Sequence, residues 1–320
     1  MTAAIADNNV PTKTFYYNAA GSDAWLYLTT DERYIYIDSV KRIRDNVGQQ
    51  IADAFLQYGD IIPDVICLGP GDCVKECIVI NRITESAGGK LNDDTRLAVF
   101  LIDISLSLLS ASVEHLKNNA RVMCKIDIFP LCTEFERLKD HSNVTDRNRS
   151  NGLIMFGNTF GNFSNTTKIA SELAAACNPG DLLVLELSLY DEITEEFLDA
   201  LDMSYNIQPF KDYLGSPLRE SNIDISHDEV KLRIENRDEI LRQAKLGKVP
   251  KEIEVAGYYV PESNVRVGAI TLPRGHERKI YTSKRFRRDY VIELMEANGF
   301  KFENEFSKGN ATSFILLKYV

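Results

Sequence analysis

The sequence predicts an α/β protein with a doubly wound sheet, a terminal antiparallel hairpin and a smaller α+β subdomain. Three observations carry this. Five strand-length apolar runs follow residue 60, helical spacing fills the intervals between them, and two further strand segments at the C-terminus are separated by a short turn. Short, uniformly apolar runs are what strands buried on both faces of a parallel sheet require.

In order, the runs are DVICLG (64–69), LAVFLIDIS (97–105), RVMCKIDIF (121–129), GLIMFG (152–157) and DLLVLELSL (181–189). Between them, SLSLLSASVEHLKNN and TTKIASELAAACN place apolar residues at helical spacing, and the second stops at Asn178, Pro179 and Gly180. After a helix in RRDYVIELMEANGF, the segments KFENEF and ATSFILLKYV flank a Ser-Lys-Gly-Asn turn and read as a hairpin. Residues 1–58 hold no strand of the buried type. Residues 196–286 combine a charged helical stretch, SHDEVKLRIENRDEILRQAK, with alternating segments such as VRVGAITL. The expected division is therefore a subdomain of 1–58 and 196–286, and a core of 59–195 and 287–320.

Composition excludes several classes of function. Apolar residues make up 44% of the chain and charged residues 26%, the balance of a soluble globular protein. A formal net charge of -10 argues against nucleic acid as a partner, because cations must displace the counterions condensed on phosphates. The start, MTAAIADNNVPTKTFYYNAAG, lacks a leader's charged head and apolar core, and no window reaches the length of a membrane span. A cytoplasmic monomer with a small-molecule partner and no membrane partner is expected. Six cysteines show no paired CxxC spacing, and Cys73 and Cys77 lack a second ligand pair, so reduced buried thiols are expected. His115, His141, His227 and His276 are scattered, and no metal is expected.

A basic stretch, GHERKIYTSKRF, covers 275–286. Its charges are expected to be the solvated flanks of a strand. Tyr281 and Ser283 alternate with Ile280 and Thr282 and so face one side of that strand together.

The first strand runs directly into Leu68-Gly69-Pro70-Gly71-Asp72, where glycines let backbone amides approach a ligand at the next helix start. Asp103 ends the second strand, where a carboxylate accepts from a ribose diol, and Asp127 is expected to end the third, where it takes adenine's exocyclic amine. The absence of GxGxxG disfavours NAD, and the absence of GxxxxGK[ST] excludes a P-loop. S-adenosylmethionine (SAM) fits the remaining pattern, with the core as its binding domain and the subdomain binding substrate.

Four stretches make the reading more specific: TFYYNAAGSDAWLYLTTDERYIY, LGPGDCVKE, MFGNTFGNF and KIYTSKRFRRD. Together they resemble the histidine Nα-methyltransferases of ergothioneine biosynthesis, a family that includes fungal N-methyltransferases of tryptophan derivatives. A parallel sheet ending in a hairpin is likewise similar to the class I methyltransferase fold. The resemblance implies that Gly69, Gly71, Lys75, Asp103 and Asp127 contact SAM. It implies that Tyr17, Tyr34, Asn162 and Ser283 contact substrate. Where the family's histidine enzymes carry Glu in the fourth stretch, this chain carries Tyr281, so histidine is not the expected acceptor. A further family tyrosine falls near Leu201, with Tyr190 or Tyr205 available by a local shift.

Methyl transfer from a sulfonium is an in-line displacement that needs a neutral amine lone pair. The nearby positive charge disfavours an ammonium. The Asn162 carbonyl and the Tyr17 hydroxyl are the groups expected to orient that amine. The expected function is SAM-dependent N-methylation of an amino acid or related small molecule. The alternative is a chain that keeps the cofactor fold while its substrate pocket has drifted to binding or regulation.

Overall fold

The computed structural model describes residues 12–320 except 17–18, 58–61, 93–94, 142–143, 145–149, 221, 268–269 and 308–311. The chain divides into two compact units. One comprises residues 38–160, 165–189 and 288–320, and the other 1–37, 161–164 and 190–287.

The first unit is built on the apolar runs. Strands β1 (Asp64–Leu68), β2 (Leu97–Asp103), β3 (Ile126–Cys132), β4 (Asn151–Met155) and β5 (Leu182–Leu187) are parallel. The hairpin of β12 (Phe300–Phe306) and β13 (Ser313–Tyr319) joins them antiparallel to β5, giving the order β12-β13-β5-β4-β1-β2-β3. Every residue of β1, β2, β4 and β5 is buried, which is why those runs carry almost no alternation. The chain winds outward from β1 to β3 and then returns to β4 on the other side of β1. At such a reversal the carboxyl ends of the strands open into the crevice where α/β sheets bind ligands.

Helix α2 (Ile35–Arg42), a π turn (Ile43–Val47) and α3 (Gly48–Gln57) precede β1. Ile43, Val47, Ile51, Ala52 and Phe55 are buried in one core with Val65, Val99 and with Ile80 and Ile83 of α4 (Val74–Ala87). That packing places the boundary between units at 37/38, whereas the sequence-based division put it at 58/59. The same core fixes a residue type. A methyl group added to Gly152 would drive into the Phe55 ring, itself 2% exposed. Gly152→Ala is expected to destabilise the protein by about 1–3 kcal/mol through overpacking. Urea denaturation checks this, and Phe55→Leu in the same chain should return part of the loss.

The second unit holds β6 (Leu189–Tyr190), β7 (Val230–Ile234), β8 (Glu252–Tyr259) and β11 (Arg278–Arg287), ordered β6-β11-β8-β7, with β8 antiparallel to both of its neighbours. A separate antiparallel pair, β9 (Val265–Val267) and β10 (Ile270–Leu272), forms from the alternating segment VRVGAITL. Helices α1 (Ala19–Leu28), α7 (Glu195–Tyr205), α8 (Gln208–Glu220) and α9 (Arg237–Lys245) complete it. Its core includes Phe15, Leu28, Leu198, Phe210, Tyr213, Leu214 and Tyr259.

Two expectations need correction. The stretch SHDEVKLRIENRDEILRQAK is not one helix. Val230, Leu232 and Ile234 alternate inward with Lys231 and Arg233 outward, so the segment pairs with β8 as β7 before α9 begins after the left-handed Asn236. All six cysteines are free, but only Cys67, Cys73 and Cys77 are buried, while Cys124 and Cys132 are exposed beside and on the edge strand β3. No helix among the described residues is long and apolar enough to cross a membrane.

Candidate active site

Two clusters gather the sequence-predicted residues, one in each unit. In the first unit, β1 ends at Leu68 and the chain turns through Gly69 (φ +67°) and Gly71 (φ +60°), conformations that glycine adopts without a Cβ penalty. The Gly69 N–H donates to the Ile102 carbonyl at 2.8 Å, and the Ser112 hydroxyl donates to the Gly71 carbonyl at 2.7 Å. Asp103, the last residue of β2, accepts from the Ser105 N–H at 2.8 Å, and the Gly71 and Ile104 amides also act on its carboxyl. Burial raises its carboxyl to about 6 against the opposing pull of those amides. Gly69 is thus tied to the end of β2 beside Asp103, and the Gly71 amide acts on the Asp103 carboxyl from the same turn.

This corner suits SAM. The carboxylate has roughly four acceptor positions, and with the Ser105 N–H on one of them it keeps acceptor capacity for a ribose hydroxyl. A Cβ at Gly69 would sit 3.0 Å from the Phe135 ring, so only glycine leaves the turn open there. Phe135 was not anticipated from sequence, since it follows β3 in a segment without a motif.

Lys75, in the first turn of α4, is brought to the same region but is already committed. Its ammonium lies 2.6 Å from Glu186 Oε2 on β5, and both side chains are about 5% exposed or less. Glu186 also accepts the Ser39 hydroxyl at 2.6 Å and the Gly157 N–H at 2.7 Å. Glu186 therefore links the start of α4, helix α2 and the loop after β4. Its one sequence signal is a lone carboxylate inside LLVLELSL.

Asp127 is a correction. It stands second in β3 and pairs with Ala98, so it lies at the amino end of the strand, while Asp103 is paired with Cys132 at the carboxyl end. Five residue steps of strand, about 17 Å, separate those two levels. Asp127 is ion-paired with Arg96 at 2.8 Å. At the level of Asp103, β3 instead presents Cys132 and the following Thr133, whose N–H donates to the Asp103 carbonyl at 3.0 Å.

In the second unit the site is organised by β11. A register shift between Lys279 and Tyr281 sets the pairing Tyr281–Gly257, Ser283–Val255 and Arg285–Ile253, which puts Tyr281, Ser283 and Arg285 on one face. The Tyr205 hydroxyl donates to Ser283 Oγ at 3.0 Å, Arg285 Nη1 donates to the same oxygen at 3.1 Å, and Arg285 Nη2 donates to the Tyr205 oxygen. Tyr190 instead donates to the Pro250 carbonyl at 2.8 Å, so of the two candidate tyrosines it is Tyr205 that reaches Ser283. Leu201 is buried in the apolar core.

An aromatic wall surrounds this cluster. The Phe210 ring lies 5.0 Å from Tyr205, 5.3 Å from Tyr281, 5.8 Å from Tyr213 and 6.1 Å from Tyr34. Burial, followed by the neighbouring phenols of Tyr205 and Tyr34, pushes the Tyr281 hydroxyl well above the ordinary phenol range. Tyr281 is therefore a neutral phenol at physiological pH. Asn162 sits half-buried in the segment 161–164 of this unit, and its side chain has no hydrogen-bond partner among the described residues. Tyr17 lies outside the described residues.

From Arg278 onward the basic stretch is not solvated. Lys284 and Arg285 are 8% and 5% exposed. Lys284 pairs with Glu252 at 2.8 Å and donates to the Ser164 carbonyl, and Lys279 pairs with Glu254 at 2.5 Å. The strand carries Lys279 and Lys284 inward because each has a carboxylate there.

Among the described residues, no group of three or more His, Cys, Asp or Glu side chains is arranged to hold a metal. The family model described as histidine-specific methyltransferase, SAM-dependent, matches residues 4–318. Among solved structures, the chain is similar to a SAM-dependent methyltransferase from Clostridium acetobutylicum, at 11% identity and a TM-score of 0.45, over 93% of this chain and 98% of that one. It is also similar to the magnesium protoporphyrin IX methyltransferase of Synechocystis with bound S-adenosylhomocysteine, at 8% identity and a TM-score of 0.46, over 95% and 97%. A glycopeptide N-methyltransferase complexed with SAM is similar at 8% identity and a TM-score of 0.43, over 85% and 94%. No curated protein sequence matches.

Proposed function

This chain belongs to the histidine-specific, SAM-dependent methyltransferase family, and from that premise we propose that it methylates the amine of an amino acid or related small molecule other than histidine. The cofactor supplies an electrophilic methyl group on a sulfonium. The chain's own residues do the rest. Asp103 takes a hydroxyl of the ribose, and the Gly69–Gly71 turn gives its open backbone to the methionine portion. Lys75, held by Glu186, fixes the start of α4 beside the turn.

In the second unit, Tyr17, Tyr34 and Asn162 position the amine of the acceptor. The Asn162 carbonyl is a suitable acceptor for an amine N–H, and it has no competing partner among the described residues. An amine reacts only when neutral, and proximity to the sulfonium disfavours its protonated form. Orienting the neutral amine and excluding water are the contributions asked of these side chains.

The observation that carries the choice of acceptor is Tyr281. At 5% exposure, against Tyr205 and Phe210, it is a neutral hydrogen-bonding group where the family's histidine enzymes place a charged acceptor for an imidazole N–H. A pocket built to hydrogen-bond one group discriminates strongly against a mismatched one. A methyl-release assay with SAM and a panel of amino acids and amines tests the reading. Turnover of a non-histidine amine, with histidine at least about tenfold poorer in kcat/KM, is expected. Histidine as the best substrate, or no turnover of any amine, would refute it.

A further inference from the structure

We infer that Arg285 anchors a carboxylate at the end of the acceptor remote from its amine, so that this chain takes amines whose side chain ends in an anion. The inference rests on the reading of the second unit as the substrate-binding one.

The two faces of β11 treat their cations differently. On one face, Lys279 and Lys284 each have a carboxylate, from Glu254 and Glu252. On the other, Arg285 is 5% exposed and is met by the Tyr205 and Ser283 hydroxyls and the Lys284 carbonyl at 3.1 Å. Among the described residues, no carboxylate meets it. Hydroxyls orient a guanidinium but do not neutralise it, and a buried charge without a counter-ion is unfavourable. The contact of the guanidinium with the Tyr205 ring, 5.2 Å from its centroid, offsets only part of that cost.

The donor count points the same way. A guanidinium has five N–H donors, and the structure uses three, two on Nη1 and one on Nη2. The remaining two are as many as one carboxylate accepts in a bidentate pair. Tyr281 and Ser283 lie on the same face of β11 as Arg285, where the resemblance places recognition of the acceptor's side chain. A site that holds an imidazole N–H with a carboxylate is an acceptor of hydrogen bonds. Here a cationic donor occupies the face and the polarity is reversed. The Phe210, Tyr205 and Tyr281 rings beside it suit an apolar spacer between the amine and the anion.

Isothermal titration of the protein saturated with S-adenosylhomocysteine tests this with matched pairs: L-glutamate against L-glutamine, and 4-carboxy-L-phenylalanine against L-phenylalanine. In at least one pair the side-chain carboxylate should bind about tenfold or more tightly than its neutral counterpart. Arg285→Gln should abolish that preference while S-adenosylhomocysteine affinity, measured on the same sample, reports that the variant is folded. Arg285→Lys keeps the charge but loses the fork, so an intermediate preference is expected, and this variant serves if the glutamine substitution does not fold. Absence of a preference in both pairs, or a preference that survives Arg285→Gln, overturns the inference. Equal weakening of both members of a pair by Arg285→Gln would assign Arg285 to the α-carboxylate and also overturn it. Methylation of amines without a carboxylate preference would defeat this inference alone, whereas failure to methylate any amine would defeat the functional reading beneath it.

Discussion

Glu186→Ala is expected to destabilise the protein by about 3–5 kcal/mol, because it leaves the Lys75 ammonium buried without its carboxylate. The Lys75 side chain is 4% exposed, so water cannot take over the role. The same substitution removes the acceptor of the Ser39 hydroxyl and of the Gly157 N–H, each a further loss for a buried donor. Denaturant unfolding gives the number. The sign of a second variant separates charge burial from packing: combining Lys75→Met with Glu186→Leu removes both charges and should recover most of the loss. A single substitution costing less than about 1 kcal/mol would show that Lys75 is solvated or otherwise compensated, and the account of the network would fall. Because Glu186 joins the first turn of α4 to the loop after β4, affinity for S-adenosylhomocysteine should fall in the single variant as well.

What could be read in the sequence followed from locality. The parallel strands announced themselves because burial on both faces leaves only apolar residues, and Asp103 was visible as the carboxylate that ends such a run. Glu186 has the same chemistry inside a run of the same kind, but its purpose depends on partners 111 and 147 residues away, and no spacing encodes that. Asp127 reads as a strand end in the sequence because the apolar run stops before Pro130. On an edge strand a proline has no ladder bond to lose, and β3 continues through Pro130, which is exposed, to Cys132. In the other unit, the alternation of Tyr281 and Ser283 was legible, and the shared face followed from it. That Arg285 joins them required Tyr205, which is 80 residues away in sequence. The inward basic residues misled for a related reason: charge in a sequence implies solvent unless a partner is known, and Glu252 and Glu254 lie on the neighbouring strand.

Asp103 makes the second large prediction, in which stability and ligand affinity respond to pH with opposite signs. Burial raises its carboxyl to about 6, above the ordinary carboxylate range, so the folded protein favours the protonated form relative to the unfolded chain. For the ligand-free protein this group's contribution to stability is present below the unfolded pKa and is lost as pH rises through about 6. A ribose hydroxyl, by contrast, donates to the ionised carboxylate. Affinity for S-adenosylhomocysteine should therefore be full above about 6 and fall as pH drops below it, by up to roughly tenfold per pH unit. Asp103→Asn retains the shape of the side chain and an acceptor oxygen but has no titration. It should weaken binding by about 1.5–3 kcal/mol, roughly ten- to a hundredfold, at neutral pH, and flatten the profile between pH 5 and 7. Titration calorimetry across that range in both proteins decides the matter. A wild-type affinity that is flat through pH 6, or an asparagine variant that keeps the wild-type slope, would show that Asp103 does not hold the ribose and that its carboxylate serves only to brace the turn through Gly71 and Ser105.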